Sequence, residues 1–270
     1  MCSGIVPEEN ASQLRSLIAD AAAGCAEIIF TPEVTGLLDR DRSRAAHAIR
    51  GESDDIVLSA ARSEARKHGI WVQLGSLAIK ISQRPDQKWL NRSYLINPGG
   101  EIVARYDKIH LFDVNLSANE TTRESAAYAG GDQAVIAPVQ GATLGLSICY
   151  DLRFSRLYEA LTNAGANILS VPAAFTVPTG KAHWEILLRA RAVEAGAYVV
   201  AAAQCGEHED GRSTYGHSMV VDPWGQILLD MGDGNGLGFC DLDLTKVEEV
   251  RSRVPAVANR KNFREPVSRS

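Results

Sequence analysis

The sequence predicts an α/β protein in which mixed β-sheets are layered against helices. Two observations carry this. Segments with helical apolar periodicity alternate with short apolar runs along nearly the whole chain, and two of those runs pair through tight turns. The alternation argues for a layered sandwich, and the hairpins exclude a purely parallel sheet. No G-x-G-x-x-G follows a predicted strand, so a dinucleotide-binding unit has no support. Without a repeat, low-complexity tract or linker, the 270 residues read as a single domain over 1–270.

Residues 10–23 place Leu14, Leu17, Ile18 and Ala21 on one helical face, with Asn10 as the expected N-cap and Gly24 as the stop. AEIIFTPE reads as a strand that empties into a loop at Pro32-Glu33. ESDDIVLSAARSEARKHG is a helix opened by Ser53-Asp54-Asp55 and closed by Gly69. WVQLGSLAI is the next strand, and RSYLI-NPGG-EIVARYDKIHL is a hairpin with its turn at the glycines. Residues 113–132 show no period and read as a long surface loop, a kind of segment that often carries function.

QAVIAPVQGATLGLSIC gives a strand pair, SRLYEALTNAG a helix, NILSVP a strand and KAHWEILLRARAVEAG a helix. AYVVAAAQ, the hairpin HSMVVDPWGQILLD and GLGFCDLDL continue as strands. VEEVRSR is a short helix before an irregular polar tail, and HEDGRS at 208–213 reads as a solvated turn.

Composition narrows the function. Hydrophobic residues make up 45% and charged residues 23%, as in ordinary globular proteins, and the net charge of −5 argues against a nucleic-acid surface. No run of 18 apolar residues exists, so no membrane span is expected, and the N-terminus lacks the basic-then-apolar order of a secretory signal. The five cysteines, Cys2, Cys25, Cys149, Cys205 and Cys240, are far apart with no C-x-x-C pair, a reduced, cytoplasmic pattern. The six histidines show no ligand spacing, so no metal site is expected.

Three predicted strand ends deliver reactive groups: Glu33 after IIFTP, Lys108 in RYDKIHLF, and Cys149 at the end of LGLSIC. A thiol must lose its proton to attack a carbonyl, and a carboxylate in reach can take it. A nearby ammonium stabilises the oxyanion, and the Tyr150 N–H at the strand-to-helix turn is a second donor. Each residue also has an ordinary reading: a buried cysteine fills apolar space, while a glutamate after proline and a hairpin lysine are commonly solvated.

The joint context decides between them. PEVTG around Glu33, YDKIHLFD around Lys108 and CYDLRF around Cys149 resemble the nitrilase superfamily of carbon–nitrogen hydrolases. The likeness continues through GGD at 130–132, VPAAFTVPTGKAHWEILLRARAVE at 171–194 and GHSMVVDPWGQIL at 216–228. It implies a four-layer α-β-β-α sandwich, no cofactor, and pairing through helices into homodimers or larger homo-oligomers. It also implies Glu33 as general base, Lys108 as oxyanion-stabilising cation, Cys149 as nucleophile and Glu124, in TTRESAAYAGGD, as a second glutamate. Cys-Tyr-Asp-Leu-Arg-Phe, in place of Cys-Trp-Glu, resembles the omega-amidase and deaminated glutathione amidase branch. There Arg153, Phe175 and Thr179 match positions that hold substrate, although Arg153 has the alternative of pairing internally with Asp151 or a helix carboxylate. His110 is expected to pack behind the site, and His183 and Glu185 to position loops.

The resemblance thus implies a hydrolase releasing ammonia from a small carboxylate-bearing amide through a thioester. N-carbamoyl amino-acid hydrolysis by the same triad and a non-catalytic scaffold of the same fold are the alternatives. The family opens with a strand ending in Gln ahead of the position of Met1, so the sheet is expected to be one strand short, with an apolar edge exposed.

Overall fold

The computed structural model describes residues 1–270 except 82–84, 118, 119, 265, 267, 269 and 270. In chain order the elements are α1 (Pro7–Ala23), β1 (Ile28–Phe30), α2 (Arg42–Ala48), α3 (Ile56–His68), β2 (Trp71–Ile79), β3 (Leu90–Ile96), β4 (Ile102–Asp107), β5 (Asp113–Ser117) and β6 (Glu120–Arg123). There follow β7 (Ile136–Val139), β8 (Ala142–Leu146), α4 (Ser155–Asn163), β9 (Ile168–Ser170), α5 (Val177–Ala195), β10 (Tyr198–Ala201), β11 (Cys205–Glu207), β12 (Ser213–Tyr215), β13 (Met219–Val221), β14 (Ile227–Asp230) and α6 (Thr245–Arg253).

Two mixed sheets form the centre. One has the order β1-β2-β3-β4, with β1 and β2 parallel and the rest antiparallel. The other runs β14-β13-β10-β9-β8-β7, with β8, β9 and β10 parallel at its middle. Side chains alternate across a strand, so one strand can feed two apolar layers. On β3, Tyr94 and Ile96 pack with Leu14 and Ile18 of α1 and Leu58 and Ala61 of α3. Leu95, between them, belongs with Tyr106, Leu144, Leu146 and Leu169 in the layer between the sheets. Leu157 and Leu161 of α4 and Trp184 and Leu188 of α5 close the far side. This is the expected α-β-β-α sandwich.

Several local readings hold. Asp55 caps α3 by accepting the Leu58 N–H, Gly69 ends it at φ +66°, and β2 covers WVQLGSLAI in full. Others are corrected. α1 begins at Pro7, whose fixed φ suits the first helical turn. Asn10 therefore lies inside the helix, buried, where its amide accepts the Gly4 N–H and donates to the Gly4 and Gly36 carbonyls. Residues 113–132 contain the β5–β6 ribbon, which no apolar period announces. The 208–213 turn joins β11 to β12 and is not solvated throughout: His208 and Asp210 are buried, the ring bonded to the Ser3 carbonyl and Thr214 hydroxyl. GLGFCDLDL, expected as a strand, joins no ladder among the described residues. It lines a groove of about 490 Å³ together with β1, whose other edge pairs with β2. A strand needs a neighbour to satisfy its backbone, and alternating apolar residues alone do not supply one.

One irregularity positions the site. The β2–β3 register slips between Leu74 and Leu77, and the bulge re-aims Gly75 and Ser76 toward the loop after β1. There the Ser76 hydroxyl accepts the Val34 N–H, its carbonyl accepts the Thr35 N–H, and the Gly75 N–H donates to Thr31 Oγ1. A Cβ on Gly75 would overlap the Thr31 and Pro32 carbonyl oxygens. Gly75→Ala is expected to cost about 1–3 kcal/mol in urea unfolding and to lower kcat by displacing Glu33. A variant as stable and active as the parent would refute this role of the bulge.

Candidate active site

Strand ends bring the reactive groups together. Glu33 follows β1, Lys108 follows β4, Glu124 follows the β5–β6 ribbon, and Cys149 opens a short 3₁₀ turn shortly after β8. Lys108, almost wholly buried, lies with its Nζ 2.8 Å from Glu33 Oε1 and 2.9 Å from Glu124 Oε2. Glu33 Oε2 accepts the Ala174 N–H at 3.0 Å, and Glu124 Oε2 accepts the Phe112 N–H at 2.6 Å.

Two residues of the site sit in the left-handed backbone region that side chains resist: Val34 at φ +50° and Cys149 at φ +51°. Cys149 is kept there by its N–H bond to the Pro172 carbonyl at 2.8 Å and by the turn that follows. At the start of such a turn the N–H groups lack intrahelical carbonyls, so the Tyr150 N–H is suited to donate to a ligand's oxygen.

Asp151 ties the turn to the lysine strand. Its fully buried carboxylate accepts the Ile148 N–H at 2.9 Å, the Tyr106 hydroxyl at 2.7 Å and the His110 N–H at 3.0 Å. His110 Nδ1 lies 2.7 Å from the same carboxylate, and its ring stacks on Phe154 at 3.6 Å. His110 thus packs behind the site as expected. Burial and then Asp151 push the Tyr106 hydroxyl far above its usual range, which keeps it a neutral donor. Asp151→Ala would strand these buried donors and is expected to cost about 3 kcal/mol or more, read as a lowered urea midpoint.

Electrostatics sets the resting protonation. Burial opposes the charge on Lys108, but the Glu124 and Glu33 carboxylates outweigh it and hold its pKa well above the usual value. For Cys149, burial and then the Glu33 carboxylate push the thiol well up, with Lys108 opposing. Both causes favour the neutral thiol of Cys149, so a reaction that used its sulfur would have to be coupled to proton transfer. Alkylation of Cys149 by iodoacetamide is expected to keep accelerating above pH 9 with no plateau below it; a plateau near neutrality would show a preformed thiolate.

All eight residues singled out in the sequence line one cavity of about 240 Å³: Glu33, Lys108, Glu124, Cys149, Tyr150, Arg153, Phe175 and Thr179. Asp151 is fully engaged elsewhere, so Arg153 does not pair with it. Its guanidinium instead lies 5.6 Å from the Phe175 ring centre and 5.9 Å from that of Tyr150, with Nη2 3.2 Å from His183 Nδ1. Glu185 pairs with Arg189 along α5 and takes no part.

Sequence reading missed Asn91, near the start of β3. Its amide donates to Glu33 Oε1 at 2.9 Å and to Glu124 Oε1 at 3.3 Å, joining the two carboxylates. An asparagine in NRSYLI carries no motif, and only the fold shows it facing both. Among the described residues no group of three or more His, Cys, Asp or Glu side chains is placed to hold a metal ion.

Fold and cavity together place a cysteine, a lysine and two glutamates in one cleft of an α-β-β-α sandwich. Residues 6–252 match the carbon–nitrogen hydrolase family model, and the chain belongs to that family, an amidase-type enzyme acting on C–N bonds other than peptide bonds. The chain is 38% identical over 258 residues to a deaminated glutathione amidase of Yersinia enterocolitica, covering 95% of this chain and 89% of that protein. It is 39% identical over 253 residues to the probable hydrolase nit2 of Schizosaccharomyces pombe, covering 92% and 90%. The Caenorhabditis elegans NitFhit structure superposes with a TM-score of 0.89 at 36% identity, covering 97% of this chain and 63% of that longer one. An amidase of Nesterenkonia, at 0.80 and 27% over 97% and 90%, was captured as a glutamate-to-glutamine mutant with the acetamide moiety of fluoroacetamide covalently added at its active site cysteine.

Proposed function

We propose that the enzyme hydrolyses small carboxylate-bearing amides through a Cys149 thioester, and that deaminated glutathione, the substrate named for several relatives, is among the compounds it accepts. The observation that carries this reading is the buried Lys108 held between Glu33 and Glu124 in the cavity that Cys149 enters. Glu33 takes the thiol proton as sulfur attacks the amide carbonyl. Lys108 and the Tyr150 N–H hold the oxyanion. Collapse breaks the C–N bond, and Glu33 passes its proton to the leaving nitrogen, which departs as ammonia from a primary amide or as an amine from a substituted one. A water, deprotonated by Glu33, then attacks the thioester, and the thiol leaves with that proton. Glu124 and Asn91 keep the lysine and the base in place throughout.

Arg153 is the proposed partner of the substrate carboxylate, supported by the absence of any ion-paired carboxylate on it among the described residues. A guanidinium presents a planar fork to a carboxylate, and lysine does not. Arg153→Lys is expected to lose about 10- to 100-fold in kcat/KM on an acidic amide and much less on a neutral short amide; equal losses would show a structural residue. The reading as a whole is tested by release of ammonia or amine from alpha-ketoglutaramate, deaminated glutathione, neutral amides, nitriles and carbamoyl amino acids. Turnover confined to the last two groups would reject it.

The proposal extends to assembly and place. Ile186 and Val193, seven residues apart on α5, are exposed at 69% and 52%, and Trp224, next in sequence to the Gly225 that lies against Val193, at 51%, which supports homo-oligomers paired through this helix. Ile186→Asp is expected to shift sedimentation toward monomer. Five unpaired cysteines suit the reducing cytoplasm, and no described helix is long and apolar enough to cross a membrane.

A further inference from the structure

The same cavity carries more positive charge than one carboxylate requires. Its lining contributes six cationic side chains against three anionic ones, in a protein whose net charge is −5. Two of the anions, Glu33 and Glu124, belong to Lys108. The third, Asp39, is taken by Arg44 through Nε at 2.7 Å and Nη2 at 2.8 Å. Arg40 is left with no carboxylate on its guanidinium among the described residues.

Arg40 is placed by a built arrangement and does not rest on surface chance. Asp210, its carboxylate fully buried, accepts the Arg40 N–H at 2.8 Å, the Arg212 N–H at 3.0 Å and Arg212 Nε at 2.7 Å. One carboxylate therefore fixes the chain at Arg40 and at Arg212, 172 positions apart in sequence. Between them Gly211, at φ +80°, lets the Arg40 guanidinium lie against the backbone: a Cβ there would come within 2.7 Å of Arg40 Nη2. Arg212 spends its Nε on Asp210, and its terminal nitrogens hold no carboxylate among the described residues. Both side chains line the cavity that also holds Cys149 and Arg153.

We infer that Arg40 and Arg212 form a second anion subsite, which binds a carboxylate on the far end of the substrate from the one at Arg153. The enzyme would then select amides that carry an anion on each side of the scissile bond. This deepens the amidase reading and rests on it for the placement of the scissile bond.

The probes are deaminated glutathione and its methyl ester at the glycine carboxylate, which differ by that one charge. Binding is measured by calorimetry to the Cys149→Ala protein, where no turnover interferes, and turnover is measured separately with the intact enzyme. The acid is expected to bind about 10- to 100-fold tighter than the ester. In R40Q/R212Q on the same background the preference is expected to fall to near one, with the melting temperature checked against the parent. An R153K change should weaken acid and ester by the same factor. Equal affinity for acid and ester, or a preference that survives R40Q/R212Q, would overturn the subsite even if the amide is hydrolysed. A preference that depends on Arg40 and Arg212, without turnover of either compound by the intact enzyme, would uphold the subsite and remove deaminated glutathione from the amides proposed as substrates.

Discussion

Replacing Cys149 by alanine is expected to lower kcat by about 10⁵-fold or more, because a catalytic unit that loses its nucleophile retains only what binding and the oxyanion donors provide. The fold should survive. Cys149 is buried but small, and the turn around it is held by the Pro172 carbonyl and Asp151, not by sulfur. The left-handed φ at this position suits alanine no worse than cysteine. Far-ultraviolet circular dichroism should therefore match the parent while amine release vanishes. Cys205→Ala and Cys240→Ala are expected to keep full turnover, since neither lines the cavity. Normal activity in Cys149→Ala would remove the thioester route altogether.

Lys108→Met is expected to act on both chemistry and stability. Removing the cation proposed to stabilise the oxyanion should lower kcat by about 10²- to 10³-fold. It would also leave the Glu33 and Glu124 carboxylates facing one another in a buried site with only Asn91 between them. Breaking a buried ion pair from one side costs about 3–5 kcal/mol, visible as a lower urea midpoint. The sign of the coupling follows from the raised lysine pKa. A group whose folded pKa lies above its unfolded value stabilises fully below the unfolded value, and the benefit fades as pH rises through the folded one. In the parent that contribution is constant up to about pH 10. In Lys108→Met the unrelieved carboxylates should instead gain protons, so the variant's stability deficit should narrow as pH falls toward 4. A deficit that widens on acidification would contradict the pairing described here.

How much of this was legible in the sequence depends on how local each feature is. α3 carries its own cap at Asp55 and its own stop at Gly69, and β2 is a mostly apolar run buried along nearly its whole length, so both could be read from their residues. The start of α1 was misplaced because Asn10 looks like a cap, whereas its amide serves the Gly4 and Gly36 backbone. GLGFCDLDL has the composition of a strand and no pairing partner, and pairing is a property of two segments. His208 and Asp210 sit in a polar stretch that looks solvated. Their burial comes from Ser3, Thr214 and Arg40, contacts that lie mostly in distant parts of the chain.

The site divides in the same way. Glu33, Lys108 and Cys149 stand in motifs dense enough to be recognised, and the fold brings them into one cavity with Glu124. Asn91 has no such context, yet it touches both glutamates. Arg40 stands in no motif and Arg212 in a stretch that reads as a solvated turn, and only their shared anchor on Asp210 sets them apart.

The central claim is that the acyl group passes through Cys149. Rapid mixing of the enzyme with excess deaminated glutathione, acid quench within a turnover and mass analysis of the digested protein test it most directly. The predicted result is a peptide containing Cys149 heavier by the acyl portion of the substrate, removable by hydroxylamine and absent in Glu33→Gln at the same time point. An adduct on Cys2 or Cys205, or amine release with no burst and no adduct on any cysteine, would contradict it.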